Sequence, residues 1–248
     1  MKEKIYTIPV NEAFEQECEC PVCHLQAKLE AEAVEYALGA AMMEPDYRIV
    51  SNEKGYCNRH YARLFEKPNK LSLALIMDTH LEEVRKEIDS LSADFESIDS
   101  QKKGIFRKNS DAPCDKISKK LSQITSSCVI CDKVSHTMGR FTEVIFYLWE
   151  KEEEFRKKML GSKGFCIPHF NALLQASFEH LNHKKACEFS KLIYELEKKE
   201  LERIQTDIHN FTLKFDYRSR GTQWGTEIDA PIRTLEKLSG HIHQPKKQ

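Results

Sequence analysis

Apolar positions along this chain recur mostly at three- and four-residue intervals, and nowhere do they alternate convincingly with polar ones. Residues 24–42, HLQAKLEAEAVEYALGAAM, are rich in Ala, Leu and Glu and place Leu25, Leu29, Ala33 and Tyr36 at helical spacing. From Asn58, NRHYARLFEK reads as a short helix closed by Pro68. NKLSLALIMDTHLEEVRKEIDSL then predicts a longer helix with Leu71, Leu75, Leu81, Val84 and Ile88 along one side. Further on, residues 132–159 read as one helix, and Pro168 to about His180 as another. A long third helix, from about Lys184 to Phe215, carries the stripe Phe189, Leu192, Ile193, Leu196, Ile204, Ile208 and Phe211. CDKISKKLSQITSS predicts a short helix before the second group, and IDAPIRTLEKL a last one near the end. The expected fold class is all-α.

Two of these groups share a cysteine pattern. The first carries CPVC at 20–23 and KGYCNRH at 54–60; the second carries CVIC at 128–131 and KGFCIPH at 163–169. The offsets 128 − 20 and 131 − 23 are both 108, and 166 − 57 and 169 − 60 are both 109, so a single residue separates the registers of the two half-motifs. The reading is an internal repeat of two homologous helical-bundle halves, each with a metal site at helix N-termini. Its boundaries are 1–96 for the first metal-binding repeat, 97–112 (SIDSQKKGIFRKNSDA) for a linker and 113–215 for the second repeat. Residues 216–248 are left as a C-terminal loop, a short helix and a frayed tail.

Cysteine pairs two residues apart at a helix start bring two sulfurs within bite distance of one ion, and the N-terminal amides favour the thiolate. A Cys-x-x-His pair at the next helix start supplies the other half of a tetrahedral Cys3His set. Taken within each copy, the sets are Cys20, Cys23, Cys57 and His60, and Cys128, Cys131, Cys166 and His169. Zinc is the expected ion, two per chain, because thiolates with imidazole suit it; an iron–sulfur cluster is the competing cofactor. CPVCH at 20–24 also matches a haem-attachment motif, but Asp132 stands in the second copy where His24 stands in the first. Cys18 lies near the first pair and reads as a free thiol, with substitution as a ligand the alternative, while Cys114 and Cys187 have no repeat partner. His136, His180 and His183 read as surface or capping residues.

Composition narrows the function classes. The chain has 248 residues, of which 31% are charged, with only 9 Gly and 8 Pro, which fits long helices with Lys- and Glu-rich faces. A formal charge of −1, from 38 Lys and Arg against 39 Asp and Glu, lacks the basic excess of a dedicated nucleic-acid binder. No apolar run approaches the roughly 20 residues of a membrane span, and the N-terminus does not read as a secretory signal, so the expected location is the cytoplasm. Thiols stay reduced there, which favours metal ligation over disulfides for the nine cysteines.

The TIPVNEAFE opening, the paired CPxC and GYCxxH blocks and the WGTEIDAPIRTLEKLSG ending resemble a bacterial domain-of-unknown-function family, DUF6062. The resemblance covers nearly the whole chain and implies a bacterial cytoplasmic protein without an established activity. Some members carry an ABC-transporter substrate-binding label, which an absent export signal does not fit. The functional expectation is a non-enzymatic zinc protein with structural metal sites that presents a surface to an unidentified protein partner. A thiolate-based redox or metal sensor is one alternative. An enzyme with its active site near Arg218, Trp224, Asp229 and Arg233 is another, although packing of Trp224 as a cap on the bundle is the plainer reading of that segment.

Overall fold

The computed structural model describes residues 4–100, 112–216 and 223–242. Every regular element among them is helical: α1 Lys4–Glu15, α2 Pro21–Leu38, α3 Pro45–Lys54, α4 Asn58–Glu66, α5 Lys70–Asp89, α6 Ser92–Ser100, α7 Ala112–Ser126, α8 Val129–Lys151, α9 Glu153–Leu160, α10 Ile167–His180, α11 His183–Leu213 and α12 Ala230–Ser239. Short 3-10 turns cover Ala40–Met43 and Thr226–Asp229. No helix among the described residues is long and apolar enough to cross a membrane.

The chain divides into two compact units, one of residues 1–29 with 136–248 and the other of residues 30–135. The boundaries fall inside α2 and α8. By their order along the sequence, the unit assembled from both ends of the chain is termed outer and the one formed by the continuous middle segment inner.

The core of the outer unit is aromatic. Trp149, Phe146, Phe155, Phe165 and Phe189 are fully buried, and burying side chains of this size contributes roughly 1.5–3 kcal/mol each. Edge-on ring contacts join Trp149 to Phe189 at 5.3 Å and Phe146 to Phe189 at 5.1 Å. Helix α1, from a segment with no element assigned by its sequence pattern, carries Pro9 in its interior at the expense of a backbone hydrogen bond. It is held by burial of Val10, Ala13 and Phe14, and Phe14 meets Phe155 at 4.9 Å and Phe165 at 6.3 Å. Phe165 immediately precedes Cys166, so this core reaches directly to a predicted ligand.

The single helix expected over residues 132–159 is broken at Glu152, whose φ of −121° and ψ of 108° are extended. The break turns Phe155 and Met159 into the core, where both are buried. It also frees the Trp149 carbonyl, which accepts from Arg156 Nε at 3.3 Å and Nη2 at 3.1 Å while that guanidinium lies over the Trp149 ring. Of the segment 97–112, α6 runs to Ser100 and α7 begins at Ala112; residues 101–111 lie outside the described residues.

In the inner unit α5 packs on α3, and its buried residues are Leu73 and Ile76. The residues expected along one side of α5 do not share that burial: Leu71 is 70% exposed and Leu81 67%, with Leu75 and Ile88 also exposed. Arg48 Nη2 fastens α3 to α5 by donating to Thr79 Oγ1 at 2.7 Å, and Asn69 caps α5 by accepting from the Ser72 amide.

Candidate metal centres

Four helices, α2, α4, α8 and α10, begin in the same way. A cysteine (Cys20, Cys57, Cys128 or Cys166) stands immediately before the helix, and the second donor (Cys23, His60, Cys131 or His169) is its third residue. This is the relation of a capping residue to the amide it caps, with sulfur in place of oxygen. The Cys23 amide donates to Cys20 Sγ and the Cys131 amide to Cys128 Sγ, both at 3.4 Å. Cys57 and Cys166 form no such cap hydrogen bond, although the His60 and His169 amides beside them help to lower those two thiols. The positive end of a helix thus faces a cysteine sulfur at each of the four starts.

Each short turn before Cys57 and Cys166 depends on a glycine. Gly55 has φ +62° and a Cβ there would run into the His80 imidazole; Gly164 has φ +75° and its Cβ would strike the Glu197 carboxylate. His80 is itself fixed by Asn52 O at 2.7 Å from Nδ1, and Glu197 accepts from the Phe165 amide. These positions explain the repeated Lys-Gly-aromatic-Cys sequence: only glycine allows the chain to turn so close to a side chain of the following long helix.

The donors do not combine as the sequence order suggested. Cys20, Cys23, Cys166 and His169 form one set, and Cys57, His60, Cys128 and Cys131 the other, with the donor atoms of each within 4.8 Å of one another. Pairing within a copy, Cys20 and Cys23 with Cys57 and His60, is therefore corrected: each set takes its Cys-x-x-Cys pair from one half of the sequence and its Cys-x-x-His pair from the other. In the outer unit, His169 Nδ1 lies 3.6 Å from Cys20 Sγ, 3.2 Å from Cys23 Sγ and 3.1 Å from Cys166 Sγ, and the Cys23 and Cys166 sulfurs are 3.4 Å apart. In the inner unit, His60 Nδ1 lies 3.3 Å from Cys57 Sγ, 3.2 Å from Cys128 Sγ and 3.4 Å from Cys131 Sγ, with Cys57 and Cys131 sulfurs 3.7 Å apart.

The chain belongs to DUF6062. This family of unknown function matches residues 1–245. Neither the curated proteins nor the solved structures include a match.

Their spacing suits a single ion each. Tetrahedral zinc, with bonds near 2.3 Å to sulfur and 2.0–2.1 Å to nitrogen, places sulfurs roughly 3.8 Å apart and sulfur and nitrogen roughly 3.6 Å apart. The protonation pattern points the same way. In the outer set hydrogen bonds from Cys20 and Cys23 lower the Cys166 thiol to about 4, while bonds to Cys166 and Cys20, with burial, push Cys23 far up. In the inner set burial raises Cys57, but the His60 amide and the Cys131 and Cys128 thiols outweigh it and bring its pKa down. Burial and the neighbouring Cys128 push Cys131 up to about 12. Sulfurs this crowded share protons among themselves unless a cation replaces those protons. His60, lowered to about 4 by burial and the Arg59 charge, is neutral at pH 7, as a ligand imidazole must be.

Different supports surround the two sets. At the inner one, the Lys54–Gly55 turn is clamped to the start of α8: Val129 N donates to Gly55 O at 3.1 Å, Ser127 Oγ to Lys54 O at 2.6 Å, and Lys54 Nζ pairs with Asp132 at 2.5 Å. Below His60, the buried Glu30 carboxylate pairs with Arg63 and with Arg59 at 2.8 Å. At the outer set Pro21 stands where α8 has Val129 and has no N–H to give. There the fully buried Lys237 ammonium of α12 meets Lys163 O at 2.6 Å, Glu197 Oε2 at 3.4 Å and Glu19 O at 3.5 Å. Gly240, at φ +90° after α12, lies against the Cys23 and Cys166 sulfurs, since a Cβ there would be 3.8 Å from each.

The C-terminal segment thus closes the outer centre, through residues that the ligand pattern did not single out. One signal was present: KLSG ends a stretch with no counterpart after the first copy, and Gly after a helix marks a left-handed cap. Arg233 joins this helix to Asp207 at 2.7 Å and Asp229 at 2.7 Å. Trp224 rests on Phe211 at 5.4 Å, and Arg218 lies outside the described residues. Cys18 is in neither set; burial and the adjacent Cys20 raise its thiol to about 11. Cys114 and Cys187 are also outside both, and His180 stacks on Phe146.

Proposed function

We propose that each Cys3His set holds one zinc ion and that the two ions brace the helix starts of a cytoplasmic, non-enzymatic protein which presents a surface to a protein partner. The observation that carries this reading is the convergence of four donors in each unit, all within 4.8 Å of one another. Four protein donors fill a tetrahedral shell and leave no position for a substrate, as in structural sites. Each ion would tie one long helix start to a shorter one, so metal binding and folding of that unit are coupled. A cluster of several irons would spread its four protein donors over different irons, farther apart than 4.8 Å, which favours a single ion. The uncovered leucines of α5 supply apolar surface of the sort a partner would cover.

Elemental analysis of protein purified anaerobically without added metal, with its visible spectrum, tests the reading. Two zinc per chain and no colour are expected. Iron with visible absorption, or no metal, would overturn it.

A further inference from the structure

The two centres turn opposite parts of their donor sets to solvent. In the outer set Cys20, Cys23 and Cys166 are buried beneath α12 and Gly240, and only His169 is partly exposed. In the inner set His60 and Cys128 are buried, and the partly exposed donors are Cys57 and Cys131. Oxidants attack sulfur, and susceptibility follows thiolate character and exposure; an imidazole at the surface offers no comparable target. The sulfurs of these two partly exposed cysteines are also neighbours, 3.7 Å apart, and they stand on different helices, at the starts of α4 and α8.

We propose that the inner centre is an oxidation site, at which hydrogen peroxide joins Cys57 to Cys131 and expels the metal, while the outer centre stays closed. The proposal rests on the reading of both sets as metal centres. In the first step one thiolate attacks a peroxide oxygen, the O–O bond breaks, hydroxide leaves and a sulfenic acid forms. The second thiolate attacks that sulfur, the S–S bond forms, the S–O bond breaks and a second hydroxide leaves. Two electrons pass from the sulfurs to the peroxide. His60 and Cys128 then remain as two donors, too few to retain the ion. The sulfurs must close from 3.7 Å to about 2.05 Å.

The position of this bond gives the oxidation a reversible character. A disulfide within the pair Cys128 and Cys131 would leave α4 unattached, whereas Cys57–Cys131 keeps α4 linked to α8 across the emptied centre. Reduction then returns four donors already gathered at one place.

The test uses the zinc-loaded full chain, with metal content measured first. A Cys114→Ser form is run beside it, because the exposed Cys114 thiol would consume peroxide without touching a metal. Peroxide is added, zinc release is followed with an indicator dye, and remaining thiols are trapped for peptide mapping. One zinc equivalent is expected to leave at least about ten-fold faster than the other, with a Cys57–Cys131 disulfide and full return of zinc after reduction. Equal release from both centres, earlier oxidation of Cys20, Cys23 or Cys166, or a disulfide to any other residue overturns the proposal. A chain that holds no metal at the outset fails the underlying metal reading instead, and this inference with it.

Discussion

Lys237→Met isolates the contribution of α12 to the outer centre. The ammonium is fully buried and meets Lys163 O, Glu19 O and Glu197, a carboxylate only 2% exposed. Methionine fills similar space without the charge, and leaves Glu197 with the Phe165 amide as its remaining hydrogen-bond donor among the contacts described above. Breaking a buried ion pair from one side costs about 3–5 kcal/mol, because the other charge is stranded out of water. With a urea slope near 2 kcal/mol per molar, the midpoint should fall by roughly 2 M. Both tryptophans, Trp149 and Trp224, belong to the outer unit, so fluorescence reports that unit. Burial already raises the Glu197 pKa despite the opposing Lys237 charge. A carboxyl with a raised folded pKa binds protons more tightly when folded, so the variant should lose stability as pH rises through that range and lose least in acid. Adding Glu197→Gln to Lys237→Met should recover much of the loss. A midpoint within about 0.3 M of the parent, or a double variant no better than the single one, would refute the stranded-charge argument.

Three glycines separate strain from collision. Gly164→Ala and Gly55→Ala combine positive φ with a blocked Cβ and should each cost more than about 2 kcal/mol, whereas Gly240→Ala meets only ordinary contacts and should cost about 1 kcal/mol, as read from thermal midpoints by circular dichroism. Because metal binding displaces thiol protons, zinc affinity should fall steeply as pH drops below neutrality; competition with a chromophoric chelator across pH measures it, and a flat profile would contradict thiolate ligation.

Donor chemistry was legible in the sequence because it is local. A helix start places its capping residue and third residue side by side whatever the rest of the chain does, so CPVC, CVIC and the two Cys-x-x-His pairs announced themselves. Which pairs meet is not local. Thirty-three residues lie between Cys23 and Cys57 and sixty-seven between His60 and Cys128, and either loop can close at little difference in entropy. Both arrangements give Cys3His sets, so composition cannot choose between them. Long helices were plain where periodicity was strong, as in α11, but the break at Glu152 is set by Phe155 and Met159 turning to a core that no local pattern reveals. Lys237 looked like any lysine of a charged short helix, and its burial depends on Glu197 and Lys163 from distant parts of the chain.

Crossed pairing of the donors is the central claim, and zinc content of the Cys23→Ala/Cys166→Ala variant tests it most directly. If the sets are those of the structure, both substitutions fall in the outer centre, the inner one keeps all four donors, and one tightly bound zinc per chain remains. If donors instead paired within each half of the sequence, each centre would lose a thiolate, and a chain with no tightly held zinc would contradict the account.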